Sequence, residues 1–122
     1  MPPDSDQAPA PRDLRAASAP AVFSVHPERV DGVYRLSVSG ELDLATRDTL
    51  TDELKRAEAS GSAFLLDLTD LTFIDSTGIA VLVDAHRRSA TDGRRFRILL
   101  VAGQVRDVLE MTGLMEVLDF KE

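Results

Sequence analysis

The alternation of apolar and polar positions changes period several times after residue 20, and each change marks an element. Val22-Phe23-Ser24-Val25 begins a strand, and Pro27, with no N–H for a ladder, marks it as an edge or a bulge. Asp31-Gly32 stands between Val30 and Val33, the two-residue signal of a tight hairpin. The return strand places Tyr34, Leu36 and Val38 on one side and Arg35, Ser37 and Ser39 on the other, and Gly40 reads as its end. Leu50, Leu54 and Ala57 recur at helical spacing, which predicts a helix from Thr46 to Ala59 stopped by Ser60-Gly61, with Asp52 and Arg56 paired on its wet side.

Ala63 to Leu68 is apolar apart from Asp67, as expected for a central buried strand, and a short polar turn follows it. A second helix is predicted over Ser76 to Ala90. Its first half is apolar nearly all round (Ile79, Val81, Leu82, Val83), and Arg87 and Arg88 stand near its negative C-terminal pole. Asp92-Gly93 turns the chain into a strand over Phe96 to Val101. A third helix buries Val105, Val108 and Leu109, with Gly113 as a left-handed cap and Leu114 folding back onto Leu109. Val117 to Phe120 reads as a final short strand. Strands and helices alternate after the opening hairpin, so the fold class is α/β with a small mixed sheet.

Residues 1 to 20 hold five of the six prolines and almost no large apolar side chains. Such a segment cannot bury enough surface to offset its ordering entropy, and it reads as a disordered tail before one domain over residues 21 to 122. A length of 122 residues with 43% apolar content supports a single core. The net charge of −7, from 21 acidic against 14 basic residues, argues against direct nucleic-acid binding, which depends on neutralising phosphates. No cysteine is present, so disulfides and thiolate sites are excluded. No apolar run approaches the ~20 residues of a membrane span, and no apolar signal core opens the chain. A cytoplasmic protein with no membrane partner is the expectation.

The candidate chemistry lies in Leu65 to Ile79, LLDLTDLTFIDSTGI, where a strand leads through Asp75-Ser76-Thr77-Gly78 into a helix. A hydroxyl at Ser76 would cap the helix by accepting an N–H from Gly78 or Ile79, at an end that favours an anion. Two further elements accompany it: Gly40-Glu41-Leu42-Asp43 after the second strand, and Gly113-Leu114 closing the apolar helix Val105 to Thr112. Together, over roughly residues 21 to 122, they resemble the signature of STAS-domain anti-anti-sigma factors (anti-sigma factor antagonists). One departure is Ala80, where many relatives carry glycine.

The resemblance implies a small mixed sheet with helices packed on one face, and a regulatory protein with no catalytic residue, metal or cofactor of its own. It implies that Ser76 is phosphorylated, and that Asp43, Asp75, Ser76, Thr77 and Gly78 contribute to a partner-binding surface. The unphosphorylated form would bind an anti-sigma factor that is also a serine kinase, freeing the sigma factor. Phosphorylation would separate the two, and a PP2C-type phosphatase would reset the switch. For single residues the residue-level readings stay open: Asp75 is a turn residue or orients Ser76, Thr77 starts a helix or offers a second hydroxyl, and Asp43 serves the helix dipole or the partner surface.

Two other classes compete: a STAS subunit of a larger signalling or transporter-accessory assembly, and a small α/β enzyme. Asp67 within an apolar strand could be an aspartyl phosphorylation site, but Lys55 and Lys121 are the only lysines and neither follows a central strand. His26 and His86 are isolated, and no nucleophile elbow, phosphate loop or metal-ligand cluster is present. The composition of the first 20 residues leads to a direct expectation. A chain beginning at Ala21 keeps its thermal midpoint within a few degrees of the full chain, and loss of cooperative unfolding on truncation would contradict the assignment.

Overall fold

The computed structural model describes residues 22–121; the tail assigned to residues 1–20 lies outside them. Four strands, β1 (Ser24–Val30), β2 (Val33–Leu42), β3 (Phe64–Ile74) and β4 (Phe96–Leu99), form one sheet in the order β1-β2-β3-β4. Three helices, α1 (Arg47–Ala59), α2 (Ser76–Asp92) and α3 (Gln104–Met111), and a 3₁₀ turn over Leu114–Glu116 complete the domain. The sheet is mixed: β1 pairs with β2 antiparallel, while β2–β3 and β3–β4 are parallel. Positive φ at both Asp31 and Gly32 builds the tight hairpin turn that the sequence signals. Pro27 lies on edge strand β1 opposite Leu36.

The even-numbered side chains of β2 and β4, and of β3 up to Leu68, face the helices. Leu36 and Val38 of β2, Leu66 and Leu68 of β3 and Ile98 of β4 form one buried cluster with Leu50, Leu54 and Ala57 of α1, Leu82 and Ala85 of α2 and Leu109 of α3. Phe64 and Phe96, side by side in the β3–β4 ladder, stack with ring centroids 4.6 Å apart. The opposite face carries Arg35, Ser37, Leu65, Asp67 and Arg97, and no described helix covers it.

β2 and β3 both run further than their sequence pattern indicates. Gly40 lies inside β2, not at its end, and β3 continues six residues beyond Leu68 through the presumed polar turn. The cause is a pair of register shifts. Between Ser37↔Asp67 and Ser39↔Asp70, and again between Gly40↔Leu71 and Glu41↔Phe73, β3 carries one extra residue. Each shift throws β3 onto the wrong face, and the two together restore it, so Ile74 returns to the core opposite Leu42. Asp67 accepts the Thr69 N–H at the first shift (3.0 Å), and Thr72 donates its hydroxyl to the Gly40 carbonyl at the second (3.0 Å). Gly40 has φ +98°, and a Cβ there would lie 2.8 Å from the Phe23 Cα, so the chain entering β1 passes directly against it.

Several ion pairs differ from the sequence expectation. Arg56 bonds Glu53 at 2.6 Å, not Asp52. Arg88 does not serve the C-terminal pole of α2; it makes a two-pronged bond to Glu58 of α1 (2.8 and 2.9 Å), which raises the basicity of the guanidinium. That pair ties α1 to α2 above the core. Asp67 is buried and bonded by Arg35 of the neighbouring strand. β4 stops at Leu99, and the final strand over Val117 to Phe120 is replaced by the 3₁₀ turn and a single bridge. There the Ile98 N–H donates to the Asp119 carbonyl (2.9 Å), and the Lys121 N–H to the Ile98 carbonyl (2.8 Å). Gly113 has the left-handed φ expected after α3.

Two expectations about stability follow. Burial pushes the Asp67 carboxyl up, but the Thr69 N–H, the Arg35 guanidinium and the Thr69 hydroxyl outweigh it and hold the group below its ordinary value. The ionised pair therefore stabilises the fold fully above the ordinary carboxylate range and loses that contribution as pH falls through the lowered folded value. Asp67→Asn flattens the acid limb of a plot of urea midpoint against pH, and an unchanged limb would remove this role. Gly78→Ala at the start of α2 places a Cβ 2.7 Å from Leu42 Cγ and 2.8 Å from Ile74 Cγ1. Overpacking of about 1–3 kcal/mol outweighs the ~1 kcal/mol that alanine gains in helix propensity, so this variant unfolds at lower urea than the parent.

Candidate functional site

The ends of β2 and β3 lie side by side because their last residues, Leu42 and Ile74, are paired in the parallel ladder. The Asp75 N–H continues that ladder to the Leu42 carbonyl (3.2 Å). The two segments singled out from the sequence, Gly40 to Asp43 and Asp75 to Gly78, therefore meet at one end of the sheet.

Asp75 is the N-cap of α2. Its backbone is extended (φ −109°, ψ −174°), and its Oδ1 accepts the Thr77 N–H (2.9 Å), the Gly78 N–H (3.0 Å) and the Thr77 hydroxyl (2.6 Å). The Thr77 hydroxyl, then the Gly78 N–H, hold the Asp75 carboxyl below its ordinary value, with a smaller contribution from the Leu44 N–H of the adjacent loop. Asp75 is ionised at neutral pH, and its charge occupies the anion-favouring helix end. This corrects the capping role expected of Ser76. The serine is the first residue of α2, one position inside the cap, exposed, and its hydroxyl engages no other described residue. Thr77 differs from it because its hydroxyl is tied to Asp75.

Gly78 is buried over Leu42 and Ile74, so it sets how closely α2 approaches and faces inward. Asp43 closes its own turn: Oδ1 accepts the N–H groups of Ala45 (3.0 Å) and Thr46 (3.2 Å), and its N–H donates to the Thr46 hydroxyl (3.0 Å). That hydroxyl in turn donates to the Glu41 carbonyl (2.8 Å). Asp43 thus shapes the loop before α1, whose N-cap is Thr46. The loop carries one feature the sequence reading missed. Leu44, whose backbone N–H faces the Asp75 carboxylate, is 64% exposed, and the signal was a lone leucine between Asp43 and the polar start of α1. Among the described residues no cluster of His, Cys, Asp or Glu is arranged to hold a metal.

Comparison with known proteins places this geometry in context. An anti-sigma-B factor antagonist of Staphylococcus aureus (strain NCTC 8325) is 27% identical over 93 residues, covering 75% of this chain and 86% of the relative. The crystal structure of an anti-sigma factor antagonist from Mycobacterium paratuberculosis superposes with a TM-score of 0.77 at 27% identity, covering 84% and 88% of the two chains. The Bacillus cell fate determinant SpoIIAA in its phosphorylated form has the same fold, with a TM-score of 0.60 at 18% identity over 83% and 92%. The family model described as the STAS domain matches residues 24–122, nearly the whole described chain, and the protein belongs to the STAS domain family.

Proposed function

We propose that this protein is an anti-sigma factor antagonist whose binding surface is switched by phosphorylation of Ser76. The observation that carries the reading is the contrast at the start of α2: Ser76 offers a free, exposed hydroxyl, whereas the Thr77 hydroxyl one residue on is held by Asp75. The anti-sigma-B factor antagonist of S. aureus supports the role, as does a fold shared with a protein known in a phosphorylated form. The partner is an anti-sigma factor with serine kinase activity, and a PP2C-type phosphatase restores the binding form. Kinase and cofactor chemistry belong to the partner, in the cytoplasm, and this chain catalyses nothing. No described helix is long and apolar enough to cross a membrane, which agrees with a reading that needs none.

On this reading Asp43, Asp75, Ser76 and Thr77 form the polar part of the partner surface and Leu44 its apolar anchor, with Gly78 supporting them from beneath. The switch is electrostatic. Asp75 already satisfies the Thr77 and Gly78 N–H groups, so a phosphate on Ser76 finds those donors engaged and projects beside an ionised carboxylate. It adds about −1.5 to −2 charges. One unit-charge repulsion at ~6 Å amounts to about 3 kcal/mol at an effective dielectric of ~20, roughly a hundredfold in affinity against an acidic or closely packed partner.

Three variants test this. Ser76→Ala keeps partner affinity and changes stability by no more than about 0.5 kcal/mol, because the serine is not the cap, yet it resists phosphorylation. Ser76→Asp binds the partner more weakly than the parent but better than the phosphoprotein, since it adds one charge. Thr77→Ala loses its bond to Asp75, at about 1 kcal/mol of stability, and is still phosphorylated. Phosphopeptide mapping after incubation with the partner kinase and ATP, followed by titration of each form, is the measurement. Phosphate on Thr77 alone, or equal affinity of both forms, would overturn the mechanism.

A further inference from the structure

The opposite end of the sheet carries a second candidate site, independent of the serine switch. Glu28, Arg35, Leu65 and Arg97 stand in one row across the four strands, each opposite the next in the ladder. Arg35 and Arg97 therefore flank Leu65 from the strands on either side, with Cα atoms about 10 Å apart at the usual ~4.8 Å strand spacing. They sit near the start of β3, whereas Ser76 follows its end, about 30 Å away along a strand rising ~3.3 Å per residue.

Arg35 and Arg97 line a cavity of about 430 Å³, together with Arg95 and Lys121. Val30, Val33 and Leu65 contribute apolar wall, and Asp31 is the one acid in the lining. Four cations against one carboxylate is an unusual concentration for a chain whose net charge is −7. The guanidinium groups are also incompletely engaged. Arg35 bonds Asp67, which fixes its orientation, but its Nε is buried with no hydrogen-bond partner among the described residues. Arg97 Nε is likewise buried and unpartnered, and the Asp119 carboxylate stands 3.9 Å from it, beyond hydrogen-bond reach. Arg95 and Lys121 are exposed at the rim and make no ion pair among the described residues.

Arg35 and Arg97 keep part of their side chains exposed where they line the cavity, and two charged groups each short of a full set of hydrogen bonds mark a place where an acceptor belongs. A carboxylate or phosphate between two guanidinium planes would meet that requirement by charge-assisted bonds. The Val30, Val33 and Leu65 wall suits hydrocarbon, and the volume matches that of small-molecule sites. We propose that this cavity binds a small organic anion with one carboxylate or phosphate head, held between Arg35 and Arg97, and an apolar arm lying along Val30, Val33 and Leu65.

The test is an amide and arginine Nε–H NMR titration of the full chain with octanoate, octyl phosphate, inorganic phosphate and octanol, each below its aggregation limit. Saturable shifts at Arg35, Leu65, Arg97 and Lys121, with the Ser76 loop unmoved, are expected for at least one octyl anion. Whichever of octanoate and octyl phosphate binds tighter identifies the head group. Inorganic phosphate lacks the arm and octanol lacks the charge, so each is expected to bind at least tenfold more weakly. Arg97→Gln lowers the affinity of the better octyl anion about tenfold or more, as loss of a charged hydrogen bond does. The rim variant Arg95→Gln/Lys121→Gln, in which both side chains are exposed, lowers it without altering the fold and gives the reading if Arg97→Gln proves unstable. Absence of saturable shifts, equal binding of octanol, or affinity unchanged in the rim variant and in any folded Arg97→Gln would overturn the proposal.

Discussion

How closely α2 settles over the ends of β2 and β3 is the constraint on which this end of the molecule depends. Gly78 sits where any side chain would strike Leu42 and Ile74, two core residues that are themselves paired in the ladder. That contact holds the Asp43 loop and the Asp75–Thr77 segment together, and the Asp75 N–H bonded to the Leu42 carbonyl keeps them in register. A larger residue at position 78 would have to move the helix, and with it every group of the site, because a packed core does not give way continuously. Surface chemistry here is set by a buried glycine.

Charge is distributed with equal economy. The helix end that favours an anion is occupied by Asp75, so Ser76, the first residue inside the helix, does not serve as the cap and its hydroxyl engages no other described residue. Under the proposed switch, a phosphate at that position would lack the stabilisation of an open helix terminus and would meet a neighbouring carboxylate. Elsewhere the ion pairs serve structure. Arg88–Glu58 joins two helices, and Arg35–Asp67 joins two strands at the bulge where β3 gains its first extra residue. The second pair also removes Asp67 from consideration as an accessible phosphorylation site, since its carboxylate is buried and bonded by both Arg35 and the Thr69 N–H.

The two ends of the sheet are chemically distinct. One presents a hydroxyl, a carboxylate and an exposed leucine on loops held by a close helix–strand contact. The other presents guanidinium groups over an apolar floor. The uncovered face of the sheet connects them through Asp67 and Arg35, which belong to adjacent rows of the same face.

What the sequence determined by itself was whatever depends on local period and turn chemistry. The Asp31-Gly32 hairpin, the buried stripe Leu50-Leu54-Ala57, the start of α2 at Ser76 and the left-handed Gly113 follow from short-range rules, and each appears as read. The motif at Asp75 to Gly78 was legible for the same reason. Tertiary structure decided the rest. Asp70 and Thr72 look like a turn because two bulges displace the strand's period, and only pairing with β2 shows that it is restored by Ile74. Asp75 prevails over Ser76 as the cap because its carboxylate reaches the Thr77 and Gly78 N–H groups from the position before the helix, a matter of backbone direction that composition does not reveal. Arg56 and Arg88 found partners other than the expected ones, and the row of Arg35, Leu65 and Arg97 exists only once three strands far apart in sequence lie side by side, since long-range register is set by burial and not by local pattern.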